Sequence, residues 1–297
     1  MAQSASQHAL PLTINRLDPA LGAEVLGVSF ADPLDADTRD AIHAAWMEHL
    51  VLVFRDQDVT DQQHVDFTRG FGELEIHHQK IIKSTLVPEI FKVGNVDDAG
   101  KLIPPADEAV KQLTSARRWH TDSSFREVPS MGSLLHGIEI AQSGGETLFT
   151  NMYAVYEALP EGLKKQVDGR RAQHNFEHLR VLTGLPPVSE EERAARPPIW
   201  QPMVRRHPVT GRKSLFISVI YNDEIEGMNS AESERLIGEL ADFADQEQFV
   251  YRHTWRPHDV VMWDNRCTMH RVTPWDPTER RVMHRTTIAG DGPVIAA

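Results

Sequence analysis

The chain has 297 residues, of which 40% are hydrophobic and 25% charged, and its one cysteine is Cys267. This is the composition of a globular protein with ample apolar surface to bury, and a single cysteine excludes an intrachain disulfide framework. The formal net charge of −12 argues against a nucleic-acid partner, while the absence of a signal-peptide pattern or a long apolar run argues against export or a membrane partner. We therefore expect a cytoplasmic protein.

The first 70 residues predict two strands, a helix, a buried strand and a second helix. Residues 12–30 alternate apolar and polar side chains, which predicts two short strands and a turn. Residues 35–50 begin with an aspartate suited to an N-cap and predict a helix. The apolar run at 51–54 is typical of a fully buried strand. A capping-box pattern then opens a helix over residues 60–70.

Two irregular segments are predicted, and the first of them is predicted to cover a site. Within residues 76–118 we predict a strand at 90–96, followed by a long loop that runs directly into the polar stretch at 119–122. Loops of this length in compact domains are often functional lids. The stretch 180–202, rich in proline and glutamate, predicts a solvated insertion, with a second mobile cover as the alternative. We expect one domain over residues 1–297, with these two segments as lid or insertion loops.

The second half of the chain predicts mostly strands. Apolar runs predict strands at 133–140, 215–221, 249–255, 259–263 and 281–288. Helical patterns occur at 151–167, with a break at Pro160, and at 229–244. Many short strands with a few peripheral helices, and without regular β-α-β alternation, predict a mainly β fold with peripheral helices. A sandwich or barrel is favoured over a doubly wound sheet.

The stretch Trp-His-Thr-Asp at 119–122 carries the first chemical signal. Side chains two apart on a strand share a face, so His120 and Asp122 would face one interior. They would supply two of the three ligands of the two-histidine, one-carboxylate triad that holds non-haem Fe(II) with open coordination positions. His270 is the candidate third ligand, with a structural histidine as the alternative reading. Asp264 is a competing carboxylate that we assign to capping backbone N–H groups.

Two arginines follow His270. Arg281 and Arg285 are four residues apart and would share one face of a predicted strand. Two cations beside a metal predict that two anionic groups bind there, because a guanidinium binds a carboxylate bidentately and strongly. The alternative reading is that they are exposed cations, which we assign to Arg271 and Arg280.

These motifs together resemble a known family. They are the histidine and aspartate at 120–122, the Gly-Gly-Glu-Thr turn at 144–147, the Trp-Asp-Asn-Arg segment at 263–266 before His270, and the arginines at 280–285. Their order and spacing resemble those of the Fe(II)/2-oxoglutarate-dependent dioxygenases of the taurine dioxygenase type, which include the 2,4-dichlorophenoxyacetate dioxygenases. The resemblance spans nearly the whole chain and implies a double-stranded β-helix (jelly roll).

The resemblance implies Fe(II) as the metal, 2-oxoglutarate and O2 as cosubstrates, and succinate and CO2 as coproducts. It implies three sets of residues: the iron ligands His120, Asp122 and His270; Thr147 and Arg281, which hold the distal carboxylate of 2-oxoglutarate; and Arg285, which holds the anionic group of the substrate. Hydrogen abstraction needs no general base, so we assign no catalytic residue beyond the iron ligands.

Departures from the family pattern bear on the substrate. Taurine dioxygenase contacts its substrate with a His-Pro-x-Tyr segment, and here His77 persists while Lys80 replaces the tyrosine. A lysine near this point, and the segment 249–255, look closer to the phenoxyacetate enzymes. Ala116 stands where the family often has asparagine. We therefore expect an aryloxyalkanoate-like carboxylate as substrate, contacted by His77 and Lys80, with cleavage of the hydroxylated product.

Alternative functions remain open from the sequence. The same chemistry could act on taurine or on another sulfonate or alkyl sulfate. A non-catalytic jelly-roll metal-binding protein is a second alternative, against which the intact triad and both arginines count. A Zn-dependent hydrolase is a third, and it would leave Arg281 and Thr147 without a role. In each enzymatic case we expect a small anionic substrate, and we also expect a homo-oligomer.

Overall fold

A computed structural model of the chain describes residues 11–76, 84 and 86–297. Within these residues the backbone forms sixteen strands and eight α-helices. The strands are β1 Thr13–Arg16, β2 Ala23–Leu26, β3 Val51–Phe54, β4 Phe91–Gly94, β5 Gly132–Glu139, β6 Thr147–Asn151, β7 Arg171–His174, β8 Ile199–Pro202, β9 Val204–Arg206, β10 Lys213–Leu215, β11 Asn222–Ile225, β12 Val250–His253, β13 Val260–Asp264, β14 Thr268–Val272, β15 Val282–Ile288 and β16 Ile295–Ala296. The helices are α1 Ala36–His49, α2 Asp61–Arg69, α3 Glu108–Thr114, α4 Met152–Ala158, α5 Glu161–Val167, α6 Phe176–Thr183, α7 Glu190–Ala195 and α8 Ser230–Ala244.

Two sheets form the centre of the fold. The larger has seven strands in the order β1-β2-β3-β13-β5-β15-β4, and the smaller has three in the order β12-β6-β14. All of these pairs are antiparallel except β2–β3. Strands distant in sequence lie side by side, with β13 between β3 and β5 and β6 between β12 and β14, so the chain crosses repeatedly between the sheets. This is the predicted jelly roll.

The two sheets enclose an apolar core. The larger sheet contributes Val51, Leu135, Val261, Trp263 and Met283, and the smaller contributes Phe149 and Tyr251. Helices α1 and α2 cover the other face of the larger sheet, and α4, α5 and α8 cover the other face of the smaller one. The candidate site lies between the sheets, where His270, Thr147 and Arg285 project from β14, β6 and β15.

The helix starts follow the predicted capping chemistry. The Asp35 side chain accepts a hydrogen bond from the backbone N–H of Thr38 at 2.9 Å, at the start of α1. Thr60 and Gln63 form a capping box at the start of α2, as predicted. The predicted helix over 151–167 is interrupted at Pro160, which separates α4 from α5.

The segments predicted as loops contain helices. Residues 97–118 include α3, whose N-cap Asp107 accepts from the N–H of Ala109 at 2.9 Å, and residues 180–202 include α7, which begins with a capping box at Ser189. Neither helix buries a broad apolar stripe, so the sequence lacks the periodic signal that reveals a helix. The prediction of structureless loops is wrong at these points. The lid role of 76–118 stays a prediction, as does the solvated insertion at 180–202 with its alternative of a second cover.

The predicted strand over 215–221 is also wrong beyond Leu215. The chain turns there, because the Asn222 side chain accepts from the N–H of Ser218 at 2.7 Å and the N–H of Tyr221 bonds to the Ser218 carbonyl at 3.0 Å. Among the helices of the described residues, none combines the length and apolar character that crossing a lipid bilayer requires.

Candidate metal centre

His120 and His270 lie opposite each other in an isolated antiparallel bridge. The N–H of His120 bonds to the His270 carbonyl at 3.1 Å, and the N–H of His270 bonds to the His120 carbonyl at 2.8 Å. The predicted extended strand ends at His120, because the chain turns at Asp122 and Ser123 takes a φ of 55°. The turn still directs the Asp122 carboxylate towards the two imidazoles.

The three predicted ligands meet. His120, Asp122 and His270 are all buried, and each offers a donor atom within 4.8 Å of the others. The His270 Nε2 lies 3.9 Å from Asp122 Oδ1, and the two imidazole centroids are 4.1 Å apart. Residues 150 positions apart in the sequence are therefore close enough to bind one ion.

The protonation of the histidines suits a metal. His120 Nδ1 lies 2.9 Å from the Arg118 carbonyl, which can only accept, so this nitrogen carries the proton and Nε2 keeps its lone pair. Burial lowers the pKa of His120, and burial together with the neighbouring His120 lowers that of His270. Both rings are therefore neutral, which is the form that ligates metals.

Asp122 is held as a carboxylate. Burial by itself would raise its pKa, but the neighbouring Arg285 and the hydrogen bond from Ser133 lower it, and the pKa lies below the usual range. Arg285 Nη1 donates to Oδ1 at 2.9 Å, and the Ser133 hydroxyl donates to Oδ2 at 3.1 Å. Two neutral imidazoles and one carboxylate form the donor set of the triad predicted from the sequence.

Arg281 is a buried cation. Asn95 fixes its backbone, donating to its carbonyl at 3.1 Å and accepting from its N–H at 2.8 Å. The guanidinium lies 5.0 Å from the Trp275 ring centroid and donates to the Gly145 carbonyl at 3.3 Å. No carboxylate of the described residues pairs with it, and burial lowers its pKa to about 10. Such a group favours an anionic ligand.

The turn that leads into β6 places Thr147 beside Arg281. Gly144 and Gly145 both have positive φ values, of 72° and 71°, and a Cβ on Gly145 would lie 3.2 Å from Arg281 Nε. The indole N–H of Trp255 donates to the Thr147 hydroxyl oxygen at 3.0 Å. The hydroxyl proton of Thr147 therefore remains to be donated to another acceptor.

Two adjoining cavities share a wall at these residues. The inner cavity, of about 130 Å³, is lined by His120, Asp122, His270, Thr147, Arg281 and Arg285 among others. The outer cleft, of about 860 Å³, is lined by Phe125, Phe176, Arg126 and Arg196. Both include Phe91, Gln112, Asp122, Tyr221 and Arg285 in their walls. A molecule in the outer cleft would thus reach the donor triad past Arg285.

Residues 13–287 match the protein family described as taurine catabolism dioxygenase TauD, TfdA family. The chain belongs to this family. An (S)-phenoxypropionate/alpha-ketoglutarate-dioxygenase of Sphingobium herbicidovorans is 38% identical over 93% of this chain and 94% of its own. An alpha-ketoglutarate-dependent 2,4-dichlorophenoxyacetate dioxygenase of Burkholderia sp. (strain RASC) is 40% identical over 86% of each chain. The crystal structure of AAD-2 in complex with Mn(II) and N-oxalylglycine superimposes with a TM-score of 0.88 at 33% identity, covering 97% of this chain and 100% of that one.

The protein is therefore a dioxygenase that uses Fe(II), 2-oxoglutarate and O2. Its own residues fit these groups. The dioxygenase offers the lone pair of His120 Nε2, a second neutral imidazole at His270 and an ionised Asp122 to a divalent metal. The buried guanidinium of Arg281 and the free hydroxyl proton of Thr147 have the chemistry that an anionic cosubstrate requires.

The sequence missed several residues of the dioxygenase's cavities. Trp275 lies against Arg281, Tyr221 lines both cavities, and Asn95 holds the Arg281 backbone. Each lies in or beside a turn without a pattern of its own, and only the tertiary contact reveals it. The predicted substrate contacts His77 and Lys80 lie outside the described residues.

Arg285 lies where a substrate anion was predicted to bind, and it also pairs with a predicted metal ligand. Its Nη1 bonds to Asp122, and its guanidinium carbon lies 4.5 Å from the Phe91 ring centroid. Its buried Nε has no hydrogen-bond partner among the residues that the structure describes. The ion pair with Asp122 was not foreseen, because the turn at 122–123 that produces it leaves no periodic signal.

Proposed function

We propose that this dioxygenase holds iron with His120, Asp122 and His270 and binds the distal carboxylate of 2-oxoglutarate with Arg281 and Thr147. The observation that carries the assignment is the buried Arg281 guanidinium, which has no carboxylate partner in the described chain and lines the same cavity as the triad. An anion bound there would recover the solvation that the cation lost on burial. The metal-binding groups and the anion-binding group are thus within reach of one small 2-oxo acid.

We further propose that the substrate is an aryloxyalkanoate-like carboxylate. The similar proteins named above act, by their names, on phenoxypropionate and 2,4-dichlorophenoxyacetate. The outer cleft supports the same chemistry, because it combines the cation of Arg285 with aromatic walls at Phe125, Phe176 and Tyr221. A carboxylate would pair with Arg285, and an aryl ring would pack against the aromatic side chains.

Arg285 would act by positioning. When bound, the iron centre with 2-oxoglutarate supplies oxidative decarboxylation to succinate and CO2 and the insertion of one oxygen atom into a substrate C–H bond. Arg285 bonds to Asp122 at 2.9 Å, so a carboxylate on the same guanidinium is held close to the metal ligands. This fixes which carbon is presented for reaction. Hydroxylation of the carbon that bears the aryloxy group would give a hemiacetal or hemiketal, and breakage of the bond from that carbon to the aryl oxygen would release a phenol and a 2-oxo acid.

The test is a turnover assay with competing substrate classes. Purified protein receives Fe(II), ascorbate, 2-oxoglutarate and either phenoxyacetate, each enantiomer of 2-phenoxypropionate, taurine or an alkyl sulfate, and succinate and phenol are measured. We expect succinate and phenol in equal amounts from an aryloxyalkanoate, and neither product from a folded His120→Ala variant. Succinate formed only with taurine or the sulfate would overturn the substrate class, and none with any substrate would favour the non-catalytic alternative.

We also propose that the segments 76–118 and 180–202 close over the substrate, that the protein forms a homo-oligomer, and that it is cytoplasmic. The segment 76–118 contributes Phe91 and Gln112 to the cavity walls, and 180–202 contributes Ala195 and Arg196 to the outer cleft, which supports their closing over substrate. Limited proteolysis with and without substrate tests this role. The single domain over residues 1–297 would unfold in one calorimetric transition. A homo-oligomer is tested by light scattering, and a cytoplasmic location by cell fractionation.

A further inference from the structure

A chain of buried hydrogen bonds runs from the Trp-Asp-Asn segment to Asp122. The indole N–H of Trp263 bonds to Asn265 Oδ1 at 2.9 Å, and Asn265 Nδ2 lies 3.4 Å from the Ser133 hydroxyl. The Ser133 hydroxyl lies 3.1 Å from Asp122 Oδ2. All four side chains are buried, and Ser133 is a polar residue on β5 next to the apolar Leu134 and Leu135.

The direction of every bond in this chain is fixed. An indole N–H can only donate, so Asn265 must present its oxygen to Trp263 and its amide group to Ser133. The Ser133 oxygen is then an acceptor for Asn265, and the hydroxyl proton points to Asp122 Oδ2. A carboxylate can only accept, which agrees with this direction. Trp263 therefore determines, through Asn265, that the Ser133 hydroxyl donates its hydrogen bond to Asp122.

The two oxygens of Asp122 have different partners. Oδ2 is engaged by the Ser133 hydroxyl. Oδ1 lies 3.9 Å from His270 Nε2 and receives one bond from Arg285, so a second lone pair of Oδ1 remains on the side of the imidazoles. The carboxylate is thus oriented with Oδ1, which Arg285 also contacts, towards the candidate ligand His270 and with Oδ2 bound to Ser133.

We propose that Ser133, directed by Asn265 and Trp263, is a positioning residue that makes Asp122 a one-oxygen ligand. The inference rests on the proposed function, in which His120, Asp122 and His270 would hold the metal and leave its remaining positions to 2-oxoglutarate and O2. A carboxylate that bound through both oxygens would take one of these positions. Partners of this kind orient metal ligands, and their loss typically weakens metal affinity by about 10- to 100-fold.

The test uses metal binding, which is independent of turnover. Mn(II) affinity is measured by the electron paramagnetic resonance signal of the free ion, and Co(II) is added separately because its visible absorption reports coordination number. Ser133→Ala removes the donor. Asn265→Asp keeps the shape of residue 265 but offers Ser133 an acceptor, which turns the hydroxyl away from Asp122. The matched control is Ser214→Ala, since Ser214 is also a buried serine and its hydroxyl, within the described part of the chain, bonds only to the Leu215 carbonyl.

We expect the Ser133→Ala and Asn265→Asp variants to bind Mn(II) about 10- to 100-fold more weakly and to share an altered Co(II) spectrum, while Ser214→Ala matches the wild type. Wild-type affinity and spectra in both variants would overturn the inference and leave the metal site intact, provided that His120→Ala abolishes binding. Retained Mn(II) binding in His120→Ala would instead overturn the proposed site, and the inference with it.

Discussion

Replacing Arg281 by methionine should remove most of the affinity for 2-oxoglutarate and leave the folded protein at least as stable. Methionine keeps much of the length and apolar volume of the arginine stem, so the packing against Trp275 is preserved. It removes a cation that has no carboxylate partner in the described residues. Affinity for 2-oxoglutarate should therefore fall while stability does not, and this combination distinguishes a ligand-binding cation from a structural one.

The magnitudes follow from the burial of Arg281. Burial lowers the pKa of the guanidinium from 12.5 to about 10, which corresponds to roughly 3 kcal/mol of lost solvation. Relief of that cost should offset the lost hydrogen bond to Gly145, so the ligand-free variant should not lose stability. Loss of one partner of a buried ion pair costs roughly 2–5 kcal/mol, which is about 30-fold to several-thousand-fold in the dissociation constant.

The assay is calorimetric titration of 2-oxoglutarate into the Mn(II)-loaded protein, with thermal unfolding of the ligand-free protein beside it. Arg280→Met is the control, because Arg280 is 41% exposed and pairs with Glu139, so its loss should leave 2-oxoglutarate affinity unchanged. Two results would refute the reasoning: unchanged 2-oxoglutarate affinity in Arg281→Met, or a ligand-free unfolding temperature more than about 5 °C below that of the wild type.

Three further predictions concern the substrate, acid stability and one turn. Arg285→Gln should raise the KM of a carboxylate substrate by more than ~10-fold and change 2-oxoglutarate affinity less; steady-state kinetics with the opposite order would contradict the assignment. Burial lowers the pKa of His64 to about 3 and of His136 to about 4. The unfolded state therefore binds more protons between about pH 4 and 6.5, and the free energy of unfolding should fall on acidification by up to ~1.4 kcal/mol per pH unit and histidine. Denaturant titrations at several pH values should show a weaker dependence of this free energy on pH for His64→Gln, and an unchanged dependence would contradict the assignment. Gly144→Ala should cost more than ~2 kcal/mol, because φ is 72° and the new Cβ would clash with the Pro274 carbonyl; an unfolding temperature equal to that of the wild type would count against it.

Much of the fold was predictable because local chemistry and burial agreed. The apolar run at 51–54 became the buried strand β3, and the capping residues Asp35 and Thr60 mark the starts of α1 and α2. Short polar helices were missed, since α3 and α7 rest on capping and tertiary contacts without a strong apolar stripe. Hydrophobic periodicity arises where one face of a segment packs on the core, so it does not reveal helices that lie at the surface.

The residues of the candidate site were predictable, but the hydrogen bonds and ion pairs between them were not. The motifs identified His120, Asp122 and His270, and the structure brings them together. The ion pair of Arg285 with Asp122 and the hydroxyl of Ser133 depend on a turn and on a strand register that only the folded chain defines. A serine within an apolar strand gives no signal that distinguishes a metal-site partner from an ordinary buried hydroxyl.

The backbone bridge between His120 and His270 bears on the order in which the enzyme folds and acquires its metal. Both of its hydrogen bonds join protein atoms, so the two ligands are aligned by folding and do not depend on an ion to gather them. Metal loading then becomes a step after folding, in contrast to small zinc domains that fold only on binding. Chelation should likewise yield a folded apoprotein that other divalent ions can refill.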